Sequence, residues 1–270
     1  YAAGMPNAFR PNSPSTLVPV DQHIRFVREV LPGRPIAMQG CVLEIGEHDA
    51  VIYQELRHTD GSLSAAFRTR IEHLDTAEEK PFAWSSRARS RLEALKDETP
   101  ADALPRSIDP DAPGLPPEQI TLDRVRACGA PMIGMGAVPP EHCGVHGRMQ
   151  PYWVIGRISD SVPNLLADWR ARVGQAAGGR RMGAAVLEYR LRYHRQPQAG
   201  DMFAAYTSLG KVQGKTHALV HWLMDPLTGG PWATCEAVAI SLDLDARKAV
   251  EAPPEMTAEL EKIAPRGLSI

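Results

Sequence analysis

An alternation of apolar and polar positions occurs twice along the chain. Residues 20–33, VDQHIRFVREVLPG, place Ile24 and Phe26 on one face, and residues 187–200, LEYRLRYHRQPQAG, place Leu191 and Tyr193 likewise. A period of two marks a half-buried strand. The two runs lie 167 residues apart, so that Asp21 meets Glu188, Arg25 meets Arg192 and Arg28 meets Arg195. Each continues into two further apolar stretches. In the first, VIYQELRHTDGSLSAAFRTRIEHLD, Asp60-Gly61 is a hairpin signal, because glycine adopts the positive φ of a tight turn. In the second, ALVHWLMDPLTGGPWATCEAVAISLDLD, the turn at residues 225–230 is about two residues longer. Strands joined by hairpins and repeated in one chain predict tandem copies of one domain.

Ahead of the second copy, QPYWVIGRISDSVPNLLADWRARVG carries Ile155, Ile158, Val162, Leu165 and Trp169 at steps of three and four. That spacing predicts one apolar face of a helix, bent at Pro163 and ended at Gly174. By the same offset Tyr1 corresponds to Asp168, so the first copy is expected to lack a leading segment and a central helix. Between the copies, residues 100–117 read PADALPRSIDPDAPGLPP. Proline removes the amide donor and restricts the residue before it, so this stretch reads as a linker. The expected organisation is a first unit at residues 1–96, a linker at 97–117 and a second unit at 118–270. One long helix followed by antiparallel strands is an α+β pattern, with the sheet curling around the helix.

Composition narrows the function. The 270 residues are 43% hydrophobic and 23% charged, with 30 Lys and Arg against 32 Asp and Glu, as in a globular protein. A net charge of −2 lacks the basic excess of a nucleic-acid binder. No apolar run approaches the ~18 residues needed to cross a bilayer. Four scattered cysteines without a CxxC, and no signal-peptide pattern, lead to a cytoplasmic expectation.

The richest polar cluster is Glu141-His142-Cys143-Gly144-Val145-His146-Gly147-Arg148, just before the helix. His142, His146 or Glu141 has the chemistry of a general base, with the helix N-terminus to receive an oxyanion. The alternative is a polar loop with two exposed histidines. Zinc held by His142, Cys143 and His146 would need a fourth ligand at no recognisable spacing, and nothing marks Cys143 as a low-pKa nucleophile. Asp160 and Asn164, four apart, share a helical face; the competing reading is a solvated stripe with Asp160 paired to Arg157. Arg190, Arg192 and His194 alternate on a strand's polar face, as a phosphate grip or as a solvated face. Glu236, inside the apolar run CEAVAISL, calls for a structural partner. Gly210 to Thr216 imitates a phosphate loop but has three residues between its glycines instead of four, and reads as a hairpin. No G-x-S-x-G is present.

The run from Gly144 to Gln150, the helix at residues 152–169, the strand from Tyr193 to the Gly200-Asp201 turn and the tail WATCEAVAISLDLDARKAV together resemble hotdog-fold acyl-CoA thioesterases of the 4-hydroxybenzoyl-CoA type, with their D-x-x-G-H-M-N segment. The resemblance implies two hotdog units, each a curved antiparallel sheet around a central helix, the first lacking its N-terminal segment. It implies hydrolysis of an acyl thioester, with no metal, no cofactor beyond the coenzyme A of the substrate, no nucleic-acid or membrane partner, and assembly into a homo-oligomer. The family's catalytic aspartate falls on Gly144 and its histidine on Arg148, so the usual acid is absent. Asp160, His146 and His142 are therefore the catalytic candidates, and Arg148, Asn164 and Arg192 the substrate-binding ones. Another branch of the family carries its acid on the central helix, where Asp160 stands. The rival expectation is a non-catalytic acyl-thioester-binding protein with a decayed site. A hotdog hydratase is disfavoured because D-x-N-P-L-H is missing.

Overall fold

The computed structural model describes residues 2–173, 182–251, 254 and 258, and divides into two compact units at residues 1–110 and 111–270. The division falls inside the proline-rich segment. Both units are built on antiparallel sheet with few helices.

The first unit contains β1 (Ser15–Phe26), β2 (Ile36–Ile45), β3 (Asp49–His58), β4 (Leu63–Asp75) and the short helix α1 (Ser86–Glu93), with strands in the order β2-β3-β4-β1. The β3–β4 turn forms where Asp60-Gly61 foretold it: Gly61 takes φ +81°, and the Asp60 carboxylate accepts from the Ser62 amide at 2.9 Å. On one face Val42, Ala50 and Ile71 are buried against Trp84, Ala88 and Leu92. The Ser85 hydroxyl caps α1 by accepting from the Ala88 amide. On the other face Glu55 is almost fully buried but completely answered. It accepts from Tyr53 Oη at 2.5 Å, from Nε and Nη2 of the Arg57 guanidinium at 2.5 and 2.9 Å, and from Gln39.

The second unit contains α2 (Leu122–Ala127), β5 (Met132–Ala137), α3 (Tyr152–Val173), β6 (Met182–Tyr193), β7 (Met202–Gln213), β8 (Thr216–Met224), β9 (Pro231–Asp243) and β10 (Lys248–Val250). The strand order is β6-β9-β8-β7-β5, with β10 on β9. Here α2 buries Leu122 and Val125 against Ala204, Tyr206, Trp222 and Met224, while α3 packs on β5, β7 and β8. The segment resembling a phosphate loop is the β7–β8 hairpin, turning at Gly214.

The repeat extends to irregularities. β6 begins and ends 167 residues after β1, and the bulge in β1 beside Val20 recurs in β6 beside Leu187. The slip between Leu56 and Arg57 recurs between Leu223 and Met224. A bulge bends its strand and sharpens its twist, so the two sheets share their curvature.

The helix differs from expectation in phase. Its buried line runs through Val154, Ile158 and Ser161, with Ile155, Val162 and Leu165 only half-buried. The reason is Gly134 on β5: a Cβ there would lie 2.2 Å from Ser161 Oγ, so the strand makes room for a small polar residue and the helix rolls toward it. The Trp169 side chain and Gly174 lie outside the described residues.

Within each unit an arginine at the equivalent position holds that unit's part of the proline-rich segment. Arg25 donates to the carbonyls of Asp102 (2.9 Å) and Leu104 (2.6 Å) within the first unit. Arg192, its counterpart, donates to the carbonyl of Ala112 (2.6 Å), joined there by Arg190 (2.9 Å) in the second.

Two outcomes follow for stability. Replacing Gly134 by alanine should cost about 1–3 kcal/mol through overpacking, with partial recovery on adding Ser161→Ala, read by urea denaturation. The Arg57 guanidinium, with Tyr53 and Gln39, lowers the Glu55 carboxyl to about 2. A depressed carboxyl stabilises the fold above its unfolded value of about 4.3, and that contribution fades as pH falls through about 2. Glu55→Gln should therefore lose about 2 kcal/mol at neutral pH and show a flatter loss of stability between pH 4 and 2.

Candidate functional site

The candidate site is the loop that delivers the chain from β5 to α3. Pro139 and Pro140 open a single turn at Pro140–His142. The chain then folds on itself: the Gly144 amide donates to the Arg148 carbonyl at 2.8 Å, the Gly147 amide to the Gly144 carbonyl at 3.0 Å, and the Gln150 amide to the His142 carbonyl at 2.9 Å. The Met149 amide donates to the Pro197 carbonyl, and Val138 exchanges main-chain bonds with the Gly200-Asp201 turn. The loop is thereby tied to two strand ends beside the first turn of α3.

Within it His142 is buried, its ring stacked on Trp153 with centroids 3.5 Å apart and planes 15° from parallel. Arg157 lies over the same indole at 5.5 Å and pairs with Asp160 at 2.9 Å. The Asp160 carboxylate is 65% exposed, so the column of imidazole, indole and guanidinium ends at a carboxylate in solvent. Four buried polar atoms at this end of α3 have no hydrogen-bond partner: His142 Nδ1, His146 Nε2, Trp153 Nε1 and Arg157 Nε. Each such atom costs about 1–3 kcal/mol, and of the buried unpartnered side-chain atoms among the described residues the others, Arg25 Nε, His58 Nε2 and His73 Nε2, lie in the first unit.

The other candidates separate. Arg148 belongs to the loop but donates to the Gln196 carbonyl at 3.2 Å. Asn164 faces the neighbouring strand and donates to the Ile133 carbonyl at 2.7 Å, anchoring α3 to β5. Arg192 is engaged with the proline-rich segment, close enough to Gly114 that a Cβ there would fall 0.6 Å from its Nη1. His194 shares a hydrogen bond with Thr234, and burial lowers its pKa to about 4, so it is neutral at physiological pH. Glu236 stands opposite Arg190 in the β6–β9 ladder. Burial pushes the Cys143 thiol up, away from thiolate chemistry.

Two residues were not singled out by the sequence. Trp153 supplies the surface against which His142 is held; an aromatic directly after the loop was the available signal. Gln150 is the other: a Cβ at Gly144 would lie 2.1 Å from its Nε2, so its carboxamide fills the space a side chain at 144 would enter.

Comparison with known proteins identifies the family. The chain belongs to the thioesterase-like superfamily, whose family model matches residues 1–94 and 154–260. Among solved structures it is similar to a 12:0-ACP thioesterase from Umbellularia californica, with a TM-score of 0.61, 11% identity, and 84% of this chain and 74% of that one covered. It is also similar to an acyl-ACP thioesterase from Bacteroides thetaiotaomicron, with a TM-score of 0.57, 11% identity, and coverage of 84% and 77%. At such identity the likeness is one of fold. A search of curated proteins found no match. No helix among the described residues is long and apolar enough to cross a membrane.

Proposed function

We propose that the chain hydrolyses an acyl thioester, carried by coenzyme A or an acyl-carrier protein, on a tandem of two hotdog units. The observation that carries this reading is His142, buried on Trp153 in the loop at the α3 N-terminus with Nδ1 unanswered. In this mechanism His142 takes the proton of the attacking water. The helix N-terminus polarises the thioester carbonyl and stabilises the oxyanion, and the thiolate of the carrier leaves. His146, in the same loop, is the second candidate for the base. Asp160 acts at a distance, holding Arg157 on the indole, which in turn positions His142.

The roles separate in kinetics. His142→Gln should lower kcat for acyl-CoA hydrolysis by ~100-fold while leaving KM within a few-fold of the parent. Asp160→Ala breaks only an exposed ion pair, worth at most about 1 kcal/mol, and should cost less than ~5-fold. A ~100-fold loss at Asp160 would instead make it the base.

A second reading, thioester binding without turnover, is favoured by Gly144, which offers no carboxylate and whose side-chain space is taken by Gln150. Gly144→Asp tests it. Only the flexible end of Gln150 must move, so the variant should fold, and hydrolysis gained from an inactive parent that binds acyl-CoA would establish the binding protein. A parent that turns over by itself establishes the enzyme.

A further inference from the structure

At the N-terminal end of α3 the unanswered atoms are of two kinds. His142 Nδ1 and His146 Nε2 belong to imidazoles, whose nitrogens donate or accept according to the tautomer. Trp153 Nε1 and Arg157 Nε can only donate, and both are buried without an acceptor. They sit on neighbouring side chains, with the Arg157 guanidinium carbon 5.5 Å from the indole ring centre. Neither N–H is needed for the packing. A phenylalanine at 153 would stack on His142 as the indole does, and a lysine at 157 would pair with Asp160 as the guanidinium does. Two donors beyond what the fold uses, four residues apart on one helical face, call for an acceptor that arrives with the substrate. Their cover is slight. The Arg157 guanidinium is held by an ion pair whose carboxylate is 65% exposed, and such pairs open readily in solvent.

We propose that the substrate is a 3-oxoacyl thioester, and that Trp153 Nε1 and Arg157 Nε select it by donating to its oxo oxygen; this rests on the thioesterase reading above. Position fixes where along the acyl chain the oxygen lies. The indole and the His142 ring are 3.5 Å apart, centre to centre, so an oxygen at Nε1 is within a few bonds of the carbon that the water attacks. Charge makes that oxygen neutral: Asp160 already matches the guanidinium at 2.9 Å, and a substrate carboxylate would set a second negative charge beside it. Lone pairs make it an oxo group. A carbonyl oxygen has two lone pairs and no proton, so it answers both donors, whereas a hydroxyl brings a donor that needs its own partner. A plain methylene answers neither and leaves both N–H groups buried and unpaired. In this mechanism the helix N-terminus serves the scissile carbonyl, so the acceptor is a second oxygen of the same acyl group.

The test is the ratio of kcat/KM for 3-oxodecanoyl-CoA to that for decanoyl-CoA. Calorimetric Kd values accompany it, for the two ketone analogues in which methylene replaces the thioester sulfur. The ratio should be at least ~20, roughly fivefold for each neutral hydrogen bond, and the 3-oxo analogue should bind more tightly. Trp153→Phe keeps an aromatic ring under His142 but has no N–H, and should lower the ratio about fivefold. Arg157→Lys keeps a cation for Asp160 but has no Nε, and should do the same. Losses common to both substrates, from a disturbed His142, cancel in the ratio. A ratio near one in the unaltered protein, or equal Kd values, would overturn the proposal. So would a ratio that Trp153→Phe leaves unchanged while both rates fall, because the donors would then serve the scissile carbonyl. Tighter binding of the 3-oxo analogue by a protein that hydrolyses neither thioester would uphold the selection and remove the hydrolase. Should either variant fail to fold, the ratio and the Kd pair of the unaltered protein decide.

Discussion

The arrangement of the candidate site depends on how closely α3 approaches β5. At Gly134 there is no room for even a methyl group, because Ser161 already fills it. That contact sets the roll of the helix, and Asn164 fixes its height by donating to the Ile133 carbonyl. With roll and height fixed, the first turn of α3 has one location, and the loop from Pro139 must close onto it. Interiors packed to crystal-like density transmit such constraints over several residues, so a glycine on a six-residue strand governs where His142 and Trp153 meet.

Much of the fold was legible in the sequence, for a reason that also explains what was not. Strand pairing is encoded locally, by alternation and by turn residues, and Asp60-Gly61 sufficed to place one hairpin. The 167-residue offset between Ile24 and Leu191 was likewise visible, and even the bulges obey it. The helix was recognisable by its period, but its phase was set by a partner: Ser161 is buried only because Gly134 faces it. Sequence patterns rank apolar residues as inward-facing, and a buried serine contradicts that rule unless its neighbour is known.

The candidate site shows the same division. His142 and His146 were marked by composition, and the loop brings both near the helix end. Arg192 was a plausible anion ligand from its place on a polar strand face and Arg148 from the family resemblance, yet carbonyls claim them. Asp160 was placed correctly on a helical face, but the side chain points to water and answers Arg157. Gln150 was invisible because its relevance is purely spatial: a carboxamide occupying the volume above a glycine has no one-dimensional signature. At the helix end the space beside Gly144 is filled by the Gln150 carboxamide, and an imidazole stacked on an indole stands next to it.

The arginines that grip the proline-rich segment have a consequence for how that segment can change over evolutionary time. Arg25 and Arg192 bind main-chain carbonyls, which every residue possesses, so their hold does not depend on the side chains passing beneath them. Substitutions among most of those residues leave the grip intact. The exception is Gly114, whose lack of a side chain gives the Arg192 guanidinium its seat. A tether held through its backbone tolerates new side chains at the grip itself, and Gly114, the buried Ala103 and Ile108 and the Arg57-paired Asp102 mark where that freedom stops.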